Sequence, residues 1–180
     1  MVQTRSRITY AEYAKLPEEQ RCEVIDGELL MSPAPTPYHQ QVLLRLYRLL
    51  DHFVRKGGLG EVLVAPCDVV LTDCDIIQPD VFFLSTARIR RIGKKFISGP
   101  PDLVMELFTE TSAYRDLVRK KKLYAKHGIP EYWLVDLEAK SIEVLAHSAG
   151  AYETEAIGKG AGVVPSRLLR GFSVRLRDVF

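Results

Sequence analysis

Two carboxylates sit inside stretches that otherwise read as buried strand. Asp80 lies in "IIQPDVFFL" and Glu106 in "PDLVMELF", each at a position where the local pattern accepts Val or Leu. Burying a carboxylate among such neighbours is costly unless a cation or hydrogen-bond donors compensate it. Two of them on neighbouring strands can converge on one point, where a hard divalent cation relieves their repulsion and their desolvation together. Mg²⁺ suits such a site, because it takes one or two carboxylates and keeps several waters. The residues alone leave other readings standing. A single buried Glu is often salt-bridged, and an Asp after Pro often begins a turn. Paired acids also serve glycosidases, although nothing here resembles a sugar-stacking groove.

A basic group within range comes from the segment that follows, expected to be a helix over about residues 113–127, closed by Gly128 and Pro130. On a wheel at about 100° per residue, Ala113, Asp116, Leu117, Lys120, Leu123, Tyr124 and His127 share one face. Arg115, Arg119, Lys122 and Lys126 lie opposite, with Lys121 at the border. The stripe that packs on the sheet therefore carries a lysine. An Asp116–Lys120 i,i+4 ion pair with a snorkelling lysine accounts for this. So does a Lys120 that reaches toward Asp80 and Glu106 with Asp116 holding it.

The elements that position these residues are legible in outline. "TYAEYAKLP" reads as a short helix capped by Thr9, and "CEVIDGELLMS" as a hairpin turning at Asp26-Gly27. "TPYHQQVLLRLYRLLDHFVRKGG" is the strongest helix, with Thr36 as cap, Pro37 at its first position and Gly57 after its end. Val42, Leu46, Leu49, Leu50 and Phe53 form its core face. Strands are expected at "EVLVAP", "CDVVLT", "QPDVFFLS" and "DLVMELF", then a final pair, "EYWLVDL" and "SIEVLAHS". The tail "VVPSRLLRGFSVRLRDVF" reads as a turn of helix and an edge strand. Strands interleaved with helices predict an α/β (α+β) domain, residues 1–180, around one mixed sheet.

The 180 residues are 47% apolar and 27% charged, an ordinary globular balance, with a net charge of only +2. Bulk charge therefore does not announce a nucleic-acid binder. The basic residues are nevertheless clustered, at Arg88, Arg90, Arg91, Lys94 and Lys95 and again from Arg115 to Lys126. Cys22, Cys67 and Cys74 have no metal-ligand spacing, which argues against zinc, and their odd number favours a reducing cytoplasm. No signal-peptide core or membrane-spanning run is present, so no membrane association is expected.

In order and spacing, "EVIDGEL", "SPAPTPYH", "IIQPDVFF", "PDLVMEL", "RDLVRKKKLYAKHGIPEYWLVD" and "GFSVRLRDVF" resemble the Uma-two family of restriction endonucleases, a branch of the PD-(D/E)XK nuclease superfamily. The resemblance covers nearly the whole chain. Its most specific part is Asp116, Lys120 and Tyr124 followed by "GIPEYW". It implies a restriction-endonuclease-like fold, a mixed central sheet flanked by helices. Asp80 then matches the aspartate of the "PD" element and Glu106 the acidic residue of the second element. The lysine expected two places later is replaced by Phe108, and Lys120 is its match on the following helix.

On this resemblance Asp80, Glu106 and the Leu107 carbonyl are expected to hold Mg²⁺ (or Mn²⁺), Lys120 to assist hydrolysis of DNA, and the protein to act as a homodimer. Glu23 matches a recurrent acidic position and is expected to join the site, although a hairpin glutamate facing solvent or an arginine needs no such role. Gln78 is expected near a phosphate or a ligand water. His39 reads as a helix-entry residue rather than a base, and Tyr132 and Trp133 as packing. His52, His147 and the cysteines read as structural. The competing expectation, favoured by Phe108, is a non-catalytic nucleic-acid-binding or interaction domain that keeps the fold.

Overall fold

The structure is a computed structural model. It describes residues 7–17, 20–109 and 113–180, the side chains of 113–116 excepted. In chain order the elements are α1 (Tyr10–Tyr13), β1 (Cys22–Ile25), β2 (Glu28–Met31), α2 (Pro37–Gly57), β3 (Gly60–Val64), β4 (Val69–Thr72), β5 (Asp75–Ile77), β6 (Val81–Ser85), β7 (Ile97–Ser98), β8 (Leu103–Phe108), α3 (Ala113–Lys126), β9 (Glu131–Asp136), β10 (Ser141–Ser148), β11 (Ala151–Lys159), β12 (Val163–Pro165) and β13 (Ser173–Arg175).

The mixed central sheet has the order β11-β10-β9-β8-β6-β3, with β8 and β9 parallel and the other pairs antiparallel. A second mixed sheet, β2-β1-β5-β4-β7, departs from the expectation of a single sheet. Pro79 supplies the reason. It has no N–H to give to a ladder, so "IIQPDVFF" cannot run as one strand. The chain leaves the second sheet at Ile77, bends through 78–80, and enters the central sheet at Val81. Asp80 therefore stands in the bend before β6 and not within a strand.

The two faces of the central sheet are buried differently. Val81, Phe83, Met105, Trp133 and Val135 pack under α2 through Val42, Leu46, Leu50 and Val54. The C-terminal segment closes the same core with Leu169, Phe172, Val174 and Leu176. Phe82, Leu84, Val104, Tyr132 and Leu145 face the other way, against Leu117, Leu123 and Tyr124 of α3 and Ile25, Val69 and Ile77 of the second sheet. Because both faces are covered, β6 and β8 read as nearly continuous apolar runs. Helix α1 covers the outer side of the second sheet, where Tyr13 meets Cys22, Val24 and Ile76.

Local signals explain the ends of these elements. The Thr36 hydroxyl accepts from the His39 N–H at 3.2 Å, and Pro37 occupies the first helical position. Helix α2 runs through Gly57, and Gly58 (φ 60°) is the left-handed cap, one residue later than expected. Asp26 and Gly27 both take positive φ, which a tight two-residue hairpin turn demands. Strand β11, absent from the sequence reading, is an edge strand with only Gly158 buried. It carries no apolar stripe to announce itself. The tail forms the β12–β13 pair and a last 3₁₀ turn, Leu176–Asp178, in place of a helical turn and one strand.

Among the described residues no helix is long and apolar enough to cross a membrane.

Glu131, only 1% exposed, ties the C-terminal segment to the central sheet. Its Oε1 accepts from Trp133 Nε1 and Ser166 Oγ, both at 2.7 Å. Its Oε2 accepts from the N–H groups of Arg167 (2.7 Å) and Leu168 (2.8 Å). Truncation would strand these donors in the interior. Glu131→Ala should cost about 3 kcal/mol of stability, read as a fall in the urea midpoint at unchanged slope. Glu131→Gln, which keeps one acceptor oxygen, should recover part of that loss.

Candidate active site

Strand alternation decides which side Glu106 faces. It shares parity with Val104, so it points away from α2 and toward α3 and the second sheet. In β1, Cys22 and Val24 face outward while Glu23 shares the inner side with Ile25. Two carboxylates from two different sheets therefore look at the same helix. That helix presents Leu117, Lys120, Leu123 and Tyr124, all buried, while Lys122 is exposed and Lys121 lies between.

Lys120 occupies the centre, 8% exposed, with Glu23 at 6% and Glu106 at 5%. Its Nζ lies 2.9 Å from Glu23 Oε2 and 3.0 Å from Glu106 Oε1. The Tyr124 hydroxyl donates to the same Glu106 oxygen at 2.6 Å. Glu23 is fixed on its other side by the Gln78 N–H, which donates to Oε1 at 2.7 Å. Asp80 Oδ2 accepts from the Leu107 N–H at 2.8 Å, so Asp80 is held beside the residue that follows Glu106. His39, from the first turn of α2, brings Nε2 to 3.3 Å from the same Asp80 oxygen.

The charges follow from this packing. Burial raises the Glu106 carboxyl to about 7, Lys120 opposes that rise, and the negative charges of Asp80 and Glu23 add to it. Desolvation works against the Lys120 ammonium, but Glu106 and Glu23 outweigh it and hold its pKa above the ordinary value. Burial, then the Glu106 charge, push the Tyr124 phenol well above its usual range, so it remains an O–H donor. Burial likewise disfavours the His39 imidazolium, but Asp80 wins and raises it.

These groups open onto a cavity of about 380 Å³, one wall of which is the connection 32–36 with Pro33 and Pro35. Arg21, Glu23, His39, Asp80, Glu106 and Lys120 all line it.

Several expectations change. His39 is not a bystander, since it contacts Asp80 directly. The Gln78 side chain is turned to structure, its amide donating to Asp68 Oδ1 (2.8 Å) and to the Tyr13 hydroxyl (3.2 Å). Tyr124 touches Glu106; the helical wheel put it on the Lys120 face and the family resemblance included it, but neither gave it a role. Asp116, expected to hold Lys120, lies outside the described side chains. Much of the basic clustering is internal. Arg88 pairs with Asp102 at 3.2 Å, and Arg91 donates to the Pro100 carbonyl. Arg119 pairs with Glu28, and Lys126 lies 3.5 Å from Asp26. Arg90, Lys94, Lys95, Lys122 and Lys126 are exposed, Lys126 with its Asp26 partner.

Comparison with known proteins bears on this arrangement. A crystal structure of a "putative nuclease belonging to DUF820" from Anabaena variabilis superimposes with a TM-score of 0.80 at 22% identity, covering 96% of this chain and 97% of that one. The likeness establishes a shared fold. No curated protein matches the sequence. The profile of the Uma2 family, described as "Putative restriction endonuclease", matches residues 10–177. That span contains α1 through β13 and every cavity residue named above, and the chain belongs to the Uma2 family.

Proposed function

We propose that the chain is a divalent-metal-dependent endonuclease that hydrolyses phosphodiester bonds in DNA. The observation that carries this reading is the meeting of Asp80, Glu106, Glu23 and Lys120 in one cavity, from two sheets and a helix that the sequence separates by up to 97 residues. The cofactor and the residue roles in this reading rest on the chemistry of the side chains.

The donor set suits a hard cation. Asp80, Glu106 and the Leu107 carbonyl offer oxygen alone, the preference of Mg²⁺ with Mn²⁺ as substitute. Among the described residues no three His, Cys, Asp or Glu are grouped to hold a metal. Mg²⁺ takes few protein ligands, because it completes its shell with water and substrate phosphate. A bound ion would supply Lewis-acid polarisation and a lowered pKa for its water. The protein's own part is orientation and charge. The Leu107 N–H aims Asp80, while Lys120 and Tyr124 together fix one oxygen of Glu106. Lys120 remains charged beside the place where negative charge builds on the phosphoryl group, and its position costs no reorganisation during reaction.

One observation favours a second reading, a non-catalytic nucleic-acid-binding or interaction domain. His39 already meets Asp80, and Lys120 already bridges Glu23 and Glu106, so each acid has a partner within the protein. Supercoiled plasmid separates the two. Nicking should require Mg²⁺ or Mn²⁺, vanish in EDTA, and be lost in Asp80→Ala and Glu106→Ala proteins that still fold. Activity that survives both substitutions would falsify the assignment.

Lys120 gives a sharper test. Lys120→Ala should abolish cleavage while metal still binds, because a divalent ion restores the positive charge that two buried carboxylates have lost. Without metal the variant should lose about 3 kcal/mol of stability, and Mg²⁺ should raise its unfolding midpoint more than it raises that of the parent. Lys122→Ala, on the exposed side of α3, should keep its turnover and only weaken DNA binding. Equal loss of turnover at both positions, measured at saturating metal and DNA, would contradict the assignment of Lys120.

The reading includes a homodimer, since two copies of one site are the simplest means of cutting both strands of a two-fold symmetric duplex. Light scattering at high protein concentration tests it, and a monomer would restrict the activity to single-strand nicking.

A further inference from the structure

Six charged groups line the cavity, and five of them are paired with one another. Lys120 is shared by Glu23 and Glu106, and His39 meets Asp80. Arg21 is the sixth, and it forms no ion pair among the described residues. Its Nε is buried with no hydrogen-bond partner among them. Three carboxylates share the cavity with this guanidinium, yet each is bonded elsewhere: Glu23 to Gln78 and Lys120, Glu106 to Lys120 and Tyr124, Asp80 to Leu107 and His39. A buried donor without a partner is costly, and native structures seldom leave one unless something else satisfies it.

The placement is set by the backbone. Arg21 directly precedes β1, and its carbonyl accepts from the Ser32 N–H at 2.8 Å, which extends the β1–β2 hairpin by one rung. Two residues along the same strand, Glu23 points into the cavity. Strand parity therefore gives Arg21 the same side, closer to the rim. There it lines the same cavity as Glu106 of β8, and its backbone bond to Ser32 sets it beside the proline-bearing wall 32–36. An anion between Arg21 and the Asp80–Glu106 edge would lie between the two sheets.

We propose that Arg21 is the phosphate-binding residue of this cavity, receiving two non-bridging oxygens of a phosphodiester on the fork of its guanidinium. This rests on the nuclease reading and adds to it the group that seats the substrate. The planar fork of an arginine matches phosphate in a two-point contact, which a lysine ammonium cannot reproduce. Lys120 is confined between two carboxylates, and the exposed lysines of α3 stand outside the cavity. Arg21 has the unmatched charge and is a half-buried residue lining the cavity.

The test is binding of a fluorescent short DNA duplex, with Ca²⁺ in place of Mg²⁺, across a salt series. It compares the parent, Arg21→Gln and Arg21→Lys, with thermal unfolding of each as control. Arg21→Gln should weaken binding about tenfold and reduce the slope of log affinity against log salt by about one. Arg21→Lys, which keeps the charge and loses the fork, should keep the slope and bind several-fold more weakly than the parent. In turnover with Mg²⁺ both should raise KM more than they lower kcat. A merely structural arginine would lower the unfolding midpoint and leave the salt slope alone. A parent that binds DNA, with Arg21→Gln equal to it in affinity and slope, overturns the assignment of Arg21 and leaves the nuclease reading intact. A parent that binds no DNA overturns both. Should Arg21→Gln fail to fold, Arg21→Lys decides, and affinity equal to the parent's overturns the proposal.

Discussion

The placement of Lys120 between Glu23 and Glu106 is the constraint on which the rest of the molecule depends. Three ionisable groups, each less than a tenth exposed, cannot carry unpaired charge in an interior without a penalty of several kcal/mol apiece. They come from β1, β8 and α3, so their mutual compensation requires that the second sheet, the central sheet and the helix arrive in one relation. Hydrophobic burial is non-directional and tolerates sliding. A lysine that must reach two carboxylates at 2.9 and 3.0 Å does not. The apolar contacts of Leu117 and Leu123 bring α3 to the sheets, and Lys120 with Tyr124 fixes its register there.

The same arrangement leaves the cavity with a surplus of negative charge on one side. Glu23 and Glu106 share a single ammonium, and the Glu106 carboxyl is raised to about 7, first by burial and then by its acidic neighbours. A site with this balance favours whatever brings positive charge without bulk. Within the protein that need is met at Asp80 by His39. Pro79 contributes indirectly, because by interrupting the strand it turns Asp80 out of the ladder and frees its carboxylate for the Leu107 N–H.

How much of this was legible in the sequence depended on the kind of signal. The wheel singled out Lys120 from three adjacent lysines because a helix face has a fixed period, and the burial of 117, 120, 123 and 124 follows that period. Asp80 and Glu106 stood out because a carboxylate in an apolar run is rare enough to need a cause. His39 was not visible as a partner of Asp80, because its contact joins α2 to the β6 bend across 41 residues and no local pattern records it. The second sheet was missed for the same reason. Hairpin β1–β2 and strand β4 were read individually, and the residues of β5 were run together with those of β6, because which sheet a short strand joins is decided by pairing, not by its own residues. Strand β11 had no buried stripe to read. The basic clusters carry no record of their partners, since Arg88, Arg91 and Arg119 look alike in sequence to the exposed lysines but pair with Asp102, Pro100 and Glu28.

Phe108 stands where the resemblance to PD-(D/E)XK nucleases leads the sequence reading to expect a lysine, and its packing can be compared with what a lysine would do there. Residues 106 and 108 share a face, so a lysine at 108 would project on the same side as Glu106. Phenylalanine there adds instead to the apolar cluster that contains Leu117 and Leu123 and so helps hold α3 against the sheet. The cation is then delivered by the helix that Phe108 secures. A lysine on a helix packed between two sheets meets acids from both, and Glu23 supplies the second carboxylate that a strand-borne lysine would not encounter. The phenylalanine at 108, the lysine at 120 and the glutamate at 23 form one solution to a single electrostatic problem, in which the packing residue and the charged residues depend on each other.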